Sequence, residues 1–436
     1  MPLDMNRRRL LGGLAALGLA CAARPLLAGA PRELVILSSY PEPVIAAFEA
    51  AFERLYPQYR INLVWRRPHD ALEQLSRPGQ GGVDVYWAAS PRTFESLRQA
   101  GAWRPLTLDR AGLPAYVGAL PLAGPGAHYL ATEIAGYGFA IDPRQLAELG
   151  VDMPADWPDL ADPRLAGRIA LPVPSQVGFA PVMVDIVLQA YGWERGWALW
   201  SEIAGLSRLI ERGSTFISDE VGSGEAAVGL SIDFFVASSI AAGAPLRFVY
   251  PAHGGLNPGH VAITAGTREP EAAEAFVAFV LSASGQKLLA NPDIRKLPVR
   301  PSVYADLPAG YHDPFRAAAA GAYAYRPDPA SGRLALVTAV FERMLVNRHA
   351  ELRQLWAQLH ARERLEGRRL EAVRQLLGTP PIDARQAGDP ALLAAWHASE
   401  GQGTSPEASD RQREWDRQVA QRQHRAAALL AGSDAT

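Results

Sequence analysis

The sequence predicts an α/β fold built on a mainly parallel, doubly wound sheet, with a helical region at its end. Three observations predict it. From residue 31 to about 265, short apolar strand patterns alternate with amphipathic helix patterns, the order of successive βαβ units. Several of these strand patterns run into a serine just before a helix start. After Gly285 the strand patterns give way to helical ones, chiefly over residues 334–377.

Residues 34–37 form an apolar run of strand length. Residues 43–56 place Ile45, Phe48, Phe52 and Leu55 on one helical face. Residues 61–65 and 83–88 read as strands, the second apolar except for Asp84. Ser90-Pro91 then supplies an N-cap serine and a proline at the first helical position. Residues 129–141 hold two apolar stretches around Gly136 and Gly138 and read as a strand crossing between lobes. A short strand over 168–171 precedes a long apolar helix over 179–191. Strands follow over 226–232 and 261–264, then a helix over 269–281 with Ala273, Phe276, Val277 and Val280 facing inward. Gly378-Thr379-Pro380-Pro381 breaks the helical region, residues 398–410 read as a loop, and residues 411–430 as a charged amphipathic helix.

The first thirty residues read as an export signal. Arg7-Arg8-Arg9 precede an apolar, Gly- and Ala-rich run, and Ala28-Gly29-Ala30 has the small-residue spacing of a cleavage site. The run is broken by Gly12, Gly13 and Gly18 and falls short of the roughly 20 apolar residues that span a bilayer. Paired arginines followed by Leu-Leu resemble a twin-arginine signal. Cys21, the one cysteine of the chain, lies within this segment. The remainder then has no disulfide and no thiol chemistry. Its net charge is about −5 once Arg7, Arg8, Arg9, Arg24 and Asp4 are removed. Such a surface carries no footprint for nucleic acid or an anionic membrane.

Motifs for catalysis are missing. There is no nucleotide-binding glycine loop, no His-Glu-x-x-His, no nucleophile elbow and no Cys/His cluster. No cofactor is expected. His253 and His260 lie seven apart without a third ligand nearby in sequence. What remains is a binding constellation. Parallel α/β sheets hold ligands at the carboxyl ends of their strands, and Ser38-Ser39-Tyr40, Ser90 and Ser175 with Gly178 and Phe179 stand at three such ends. A helix N-terminus carries about half a positive charge and unpaired N–H groups. Three of them in one crevice would hold a phosphate, phosphonate or carboxylate without a basic side chain. Each serine is also an ordinary helix cap. Asp233, at the end of a strand before Phe234-Phe235, either caps the next helix or reads hydroxyl or ammonium groups of a ligand. Tyr250, Gly254 and Tyr137 are rim and lining candidates, and Arg168 and Arg247 are possible partners for an anion.

The chain resembles the bacterial ABC-transporter periplasmic substrate-binding proteins of the ferric-iron-binding type. Within that group it is most similar to the branch related to phosphoglycerate-transport regulatory and hexose-phosphate or aminoethylphosphonate-binding proteins. The segments that carry the resemblance are Leu34-Val35-Ile36-Leu37-Ser38-Ser39-Tyr40, Asp84-Val85-Tyr86-Trp87-Ala88-Ala89-Ser90-Pro91 and residues 159–169. Gly192-Trp193-Glu194-Arg195-Gly196-Trp197, residues 224–233, Tyr250-Pro251 and residues 279–286 add to them. The resemblance implies a type II periplasmic-binding fold, with two lobes, two crossing strands and a cleft that closes on its ligand. Iron-binding members have adjacent tyrosines where this chain has Phe234-Phe235, which implies an organic anion in place of tyrosinate-bound iron. The implied organisation is a signal over 1–30, one lobe from 31–135 and 265–340, a second from 136–264, and helices 341–436 packed on the first lobe. The implied partners are a small anionic organic ligand and an ABC permease at the inner membrane, for a monomeric periplasmic protein. A ligand sensor feeding a two-component system, or a ferric-iron binder using Tyr40, Asp233 and His253 or His260, are the alternatives.

Overall fold

The computed structural model of the protein describes residues 30–213, 215–328, 332–399 and 406–432. The export signal, apart from Ala30, lies outside them. Among the described residues the strands are β1 (Arg32–Ser38), β2 (Tyr59–Trp65), β3 (Val85–Ala88), β4 (Tyr116–Val117), β5 (Leu120–Pro121) and β6 (Leu130–Ile141). They continue with β7 (Ile169–Pro172), β8 (Ser207–Ile210), β9 (Val228–Ile232), β10 (Arg247–Val249), β11 (Leu256–Ile263) and β12 (Leu297–Pro298). Ten of them form one sheet, in the order β2-β1-β3-β11-β6-β9-β7-β8 with β10 and β12 also paired to β6.

Two parallel groups stand at the ends of this sheet. β2, β1 and β3 are parallel to one another, as are β9, β7 and β8. Between them, β6 and β11 pair antiparallel with their neighbours. All twelve residues of β6 are buried. Its first half pairs with β11 and its second half, from Tyr137, with β9. One strand therefore belongs to both lobes, and the change of partner at Gly136–Tyr137 marks the crossing. The antiparallel pairings missing from the sequence expectation are those of strands passing between lobes.

Asp84 explains why β3 starts at Val85. Its carboxylate accepts hydrogen bonds from the Val35 amide at 2.9 Å, the Thr267 hydroxyl at 2.7 Å and the Arg268 amide at 3.1 Å. The charge in an apolar strand pattern thus ties β1 to the turn after β11. The helix Glu42–Leu55 buries Val44, Ile45, Phe48 and Phe52 on the first lobe. Leu55, expected on the same face, is 58% exposed at the helix end.

The helices after residue 333 correct the expected domain assignment. They share a core with the second lobe, not the first. The helix Trp193–Leu206 buries Trp193, Trp197 and Trp200, and this aromatic face needs a cover. The helix His349–Glu366 supplies it with Leu352, Leu355, Trp356 and Leu359. Polar links fix the docking: Trp356 Nε1 donates to Ser201 Oγ at 3.2 Å, Ser201 Oγ to the Leu377 carbonyl at 2.8 Å, and Arg374 bridges Glu202 and Glu363. Residues 323–328 make a third crossing. The Tyr323 hydroxyl hydrogen-bonds His312 and its carbonyl accepts from Ala119 N. Farther along, Arg326 exchanges hydrogen bonds with Gln189, and Arg333 pairs with Asp185 of the second lobe. A Cβ on Gly205 would fall inside the Trp356 indole. Gly205→Ala is accordingly expected to cost about 1–3 kcal/mol, read as a lower urea midpoint. An unchanged midpoint would mean that this helix packs elsewhere.

Candidate functional site

A cavity of about 430 Å³ opens between the lobes, within the ordinary size of a small-molecule site. The first lobe lines it with Pro68 after β2 and with Ala89, Ser90, Pro91 and Arg92 after β3. The second lobe contributes Gly178, Phe179, Pro181 and Val182 after β7 and Ile232, Phe234 and Phe235 at the end of β9. Tyr137 of β6 and Leu256, Asn257 and Pro258 of β11 form the floor, and Tyr325, Pro327 and Asp328 of the third crossing form a rim with Leu334. Every parallel strand end that reaches it is followed by a helix start. Three helices of nine residues or more begin here: Pro91–Gln99, Ala180–Tyr191 and Asp233–Ala241. Their macrodipoles present positive ends to the same space.

Four residues expected at the site meet there: Ser90, Tyr137, Gly178 and Phe179. Ser90 is the N-cap residue but makes no capping bond with its side chain; its hydroxyl donates to Thr93 Oγ1 at 2.7 Å. The ring of Tyr137 is buried, with 2% of the residue exposed, and burial raises its pKa.

The other expected residues point elsewhere, for identifiable reasons. Ser38 is fully buried, and its hydroxyl donates to the Trp87 carbonyl at 2.6 Å while accepting from the Tyr40 amide. A buried hydroxyl takes the nearest acceptor in its own sheet. Ser39 follows it on the first lobe but does not line the cavity. The Tyr40 hydroxyl donates to Glu133, whose carboxylate also receives the Thr132 hydroxyl and stands 3.4 Å from Lys296 Nζ. Ser175 is exposed and outside the cavity, one turn before the helix start. Asp233 is 5% exposed and faces inward. Its Oδ2 accepts from the Gly136 amide at 2.8 Å and the Tyr250 hydroxyl at 2.9 Å, and its Oδ1 accepts from the Phe234 amide at 2.7 Å. Asp233 thus stitches the end of β9 to both crossing segments, and burial lifts its pKa to about 7. Tyr250 stacks on His312 with ring centroids 3.6 Å apart. Gly254 lines a separate cavity behind the third crossing, beside His253 and Tyr325. Arg168 and Arg247 are exposed on the second lobe and do not line the cleft.

The residues offered as an iron site are divided among different partners. Tyr40 is bonded to Glu133 and Asp233 to the crossings, while His253 Nδ1 is hydrogen-bonded to Asp156. His260 packs against Phe94 and Tyr129, and burial lowers its pKa to about 3.

Arg92 is the residue that sequence reasoning missed. It was legible in principle, because it follows Ser90-Pro91 in the first turn of a helix at a strand end. The third crossing carried no such signal. A wider groove on the second lobe, around Arg374, has its charge taken up by Glu202 and Glu363.

Residues 84–316 match the family described as bacterial extracellular solute-binding protein. The chain is 30% identical over 369 residues to the phosphoglycerate transport regulatory protein PgtC of Salmonella typhimurium, across 83% of this chain and 89% of that one. Among solved structures it is similar to the periplasmic binding protein AfuA from Actinobacillus pleuropneumoniae, bound to fructose-6-phosphate. That match has a TM-score of 0.54 and 21% identity, covering 64% of this chain and 88% of the other. Iron-bound HitA from Pseudomonas aeruginosa matches with a TM-score of 0.55 and 19% identity, over 66% and 92%. These two likenesses establish the type II periplasmic-binding fold.

Proposed function

The chain belongs to the bacterial extracellular solute-binding proteins, and from that premise we propose that it captures a small anionic organic molecule in the interlobe cleft, in the periplasm, and delivers it to an ABC importer. The observation that carries this reading is the meeting of Arg92 and the Pro91–Gln99 helix start, from one lobe, with the Ala180–Tyr191 helix start from the other, around one cavity. A ligand that touches both walls stabilises the closed arrangement over the open one by its extra contacts. The signal-like residues 1–30 and the family support the periplasmic location.

Arg92 changes the expected chemistry. The strand-end serines point to an anion held by amides and hydroxyls alone, and the cleft offers a guanidinium as well. Native mass spectrometry of freshly purified protein, followed by a thermal-shift screen of carboxylated and phosphorylated metabolites, identifies the ligand class. Arg92→Gln is expected to weaken the identified anion at least tenfold by calorimetry, the scale of one charge-assisted hydrogen bond. If only neutral solutes bind, the anion reading falls.

One observation favours a second role as a sensor. The third crossing lines the cleft, and so does Leu334 of the helix Arg333–Phe341, which packs on the second lobe, so a change in the cleft reaches those helices. The regulatory function named for the Salmonella relative agrees with this. Adjacent permease and ATPase genes favour transport, and an adjacent two-component pair favours sensing.

A further inference from the structure

The lining of the cleft says more about the ligand than its charge. Phe234 and Phe235 lie with ring centroids 4.1 Å apart, and Phe179 is 6.3 Å from Phe235. They form an aromatic wall on the second lobe. Pro181, Val182, Ile232, Leu256 and Pro258 extend it with further apolar surface. Polar side chains on the lining are few: Ser90, Arg92, Asn257 and Asp328, with the tyrosines Tyr137 and Tyr325. Tyr137 lines the cavity with its ring, and the residue is 2% exposed.

These features disfavour a polyhydroxylated ligand. Each sugar hydroxyl moved from water to an apolar wall without a partner is penalised, and a hexose has several. They suit a molecule whose body is itself apolar and flat, because aromatic rings gain from offset or edge contact with one another. Resting on the anion-binding reading above, we propose that the cleft selects an organic anion with a ring-sized apolar body, its charged group at Arg92 and the start of the Pro91–Gln99 helix, and its ring against Phe179, Phe234 and Phe235.

The test uses the full exported chain, without its signal, and three probes in calorimetry: phenyl phosphate, glucose 6-phosphate and inorganic phosphate. Phenyl phosphate is expected to bind at least tenfold tighter than glucose 6-phosphate. Phe235→Ser and, independently, Val182→Ser are expected to erase that preference while leaving inorganic phosphate unchanged. The unchanged phosphate affinity reports that each variant is folded. If glucose 6-phosphate binds as well as phenyl phosphate, and Arg92→Gln weakens both, the apolar-body proposal is overturned while the anion reading stands. If none of the three binds, the apolar-body proposal is overturned, and the anion reading is decided by the wider screen of carboxylated and phosphorylated metabolites.

Discussion

Glu133→Gln is expected to destabilise the protein by about 3–5 kcal/mol, the largest effect we anticipate from one substitution. Glu133 is 1% exposed and Lys296 4% exposed, and each is the other's charge partner. The ammonium of Lys296 lies 4.7 Å from the ring centres of both Tyr40 and Phe234. It therefore sits under the cleft, between a ring of the first lobe and a ring of the second. Removing the carboxylate leaves a buried cation with two aromatic faces and without its salt-bridge partner. Lys296→Met leaves the reverse, a buried carboxylate with only the Tyr40 and Thr132 hydroxyls. The double variant Glu133→Gln/Lys296→Met is expected to cost much less than the two single losses added together, since neither charge is then stranded. Urea denaturation of the three variants measures this. Single-variant losses under about 1 kcal/mol would show that water reaches the pair and that it behaves as a surface ion pair.

The second large effect is a pH dependence centred on Asp233. Burial holds this carboxyl at about 7 in the folded protein, against 3.8 for an ordinary aspartate, although its three hydrogen bonds and Lys296 pull the other way. Between those values the unfolded chain has lost a proton that the native state keeps. The stability from that proton is whole below about pH 4 and is lost as pH rises through about 7. The loss reaches up to ~4 kcal/mol, since each pH unit between the two values contributes ~1.4 kcal/mol. This sign is opposite to that of most carboxylates, whose folded pKa is depressed. Asp156, Asp142 and Glu95, held below the usual range, contribute the opposite slope at lower pH. The comparison of wild type with Asp233→Asn isolates the one group. The variant is expected to lose the extra destabilisation between pH 4 and 7 in melts taken at intervals of one pH unit. Parallel curves for the two proteins would mean that Asp233 is ionised throughout. Asp233→Ala, which removes these inward bonds, should lower stability.

Much of the fold was legible because apolar periodicity reports burial directly. The strand at residues 34–37, the helices at 43–56 and 179–191, and the crossing at 129–141 all have strong patterns, and each appears within a few residues of its expected bounds. The strands Ser207–Ile210 and Arg247–Val249 were not legible, since four and three residues give no period to read. The site was half legible. Ser90, Gly178 and Phe179 were found because a strand-to-helix turn at a parallel sheet's carboxyl edge must face the cleft. Ser38 and Asp233 stand at equivalent places in the chain, yet each turns to a backbone partner within its own lobe or at the crossings.

By itself, the sequence determined that the chain makes α/β units with ligand-competent strand ends, that its one cysteine lies among the first thirty residues, and that Phe234-Phe235 offer no phenolate to a metal. Tertiary structure alone decided that the last helices cover the tryptophan face of the second lobe, that a third segment crosses the cleft, and that Arg92 joins the site. The reason is that a pattern of apolar residues states which face must be buried, whereas the choice of what buries it, and which polar group finds which partner, depends on distances between residues far apart in the chain.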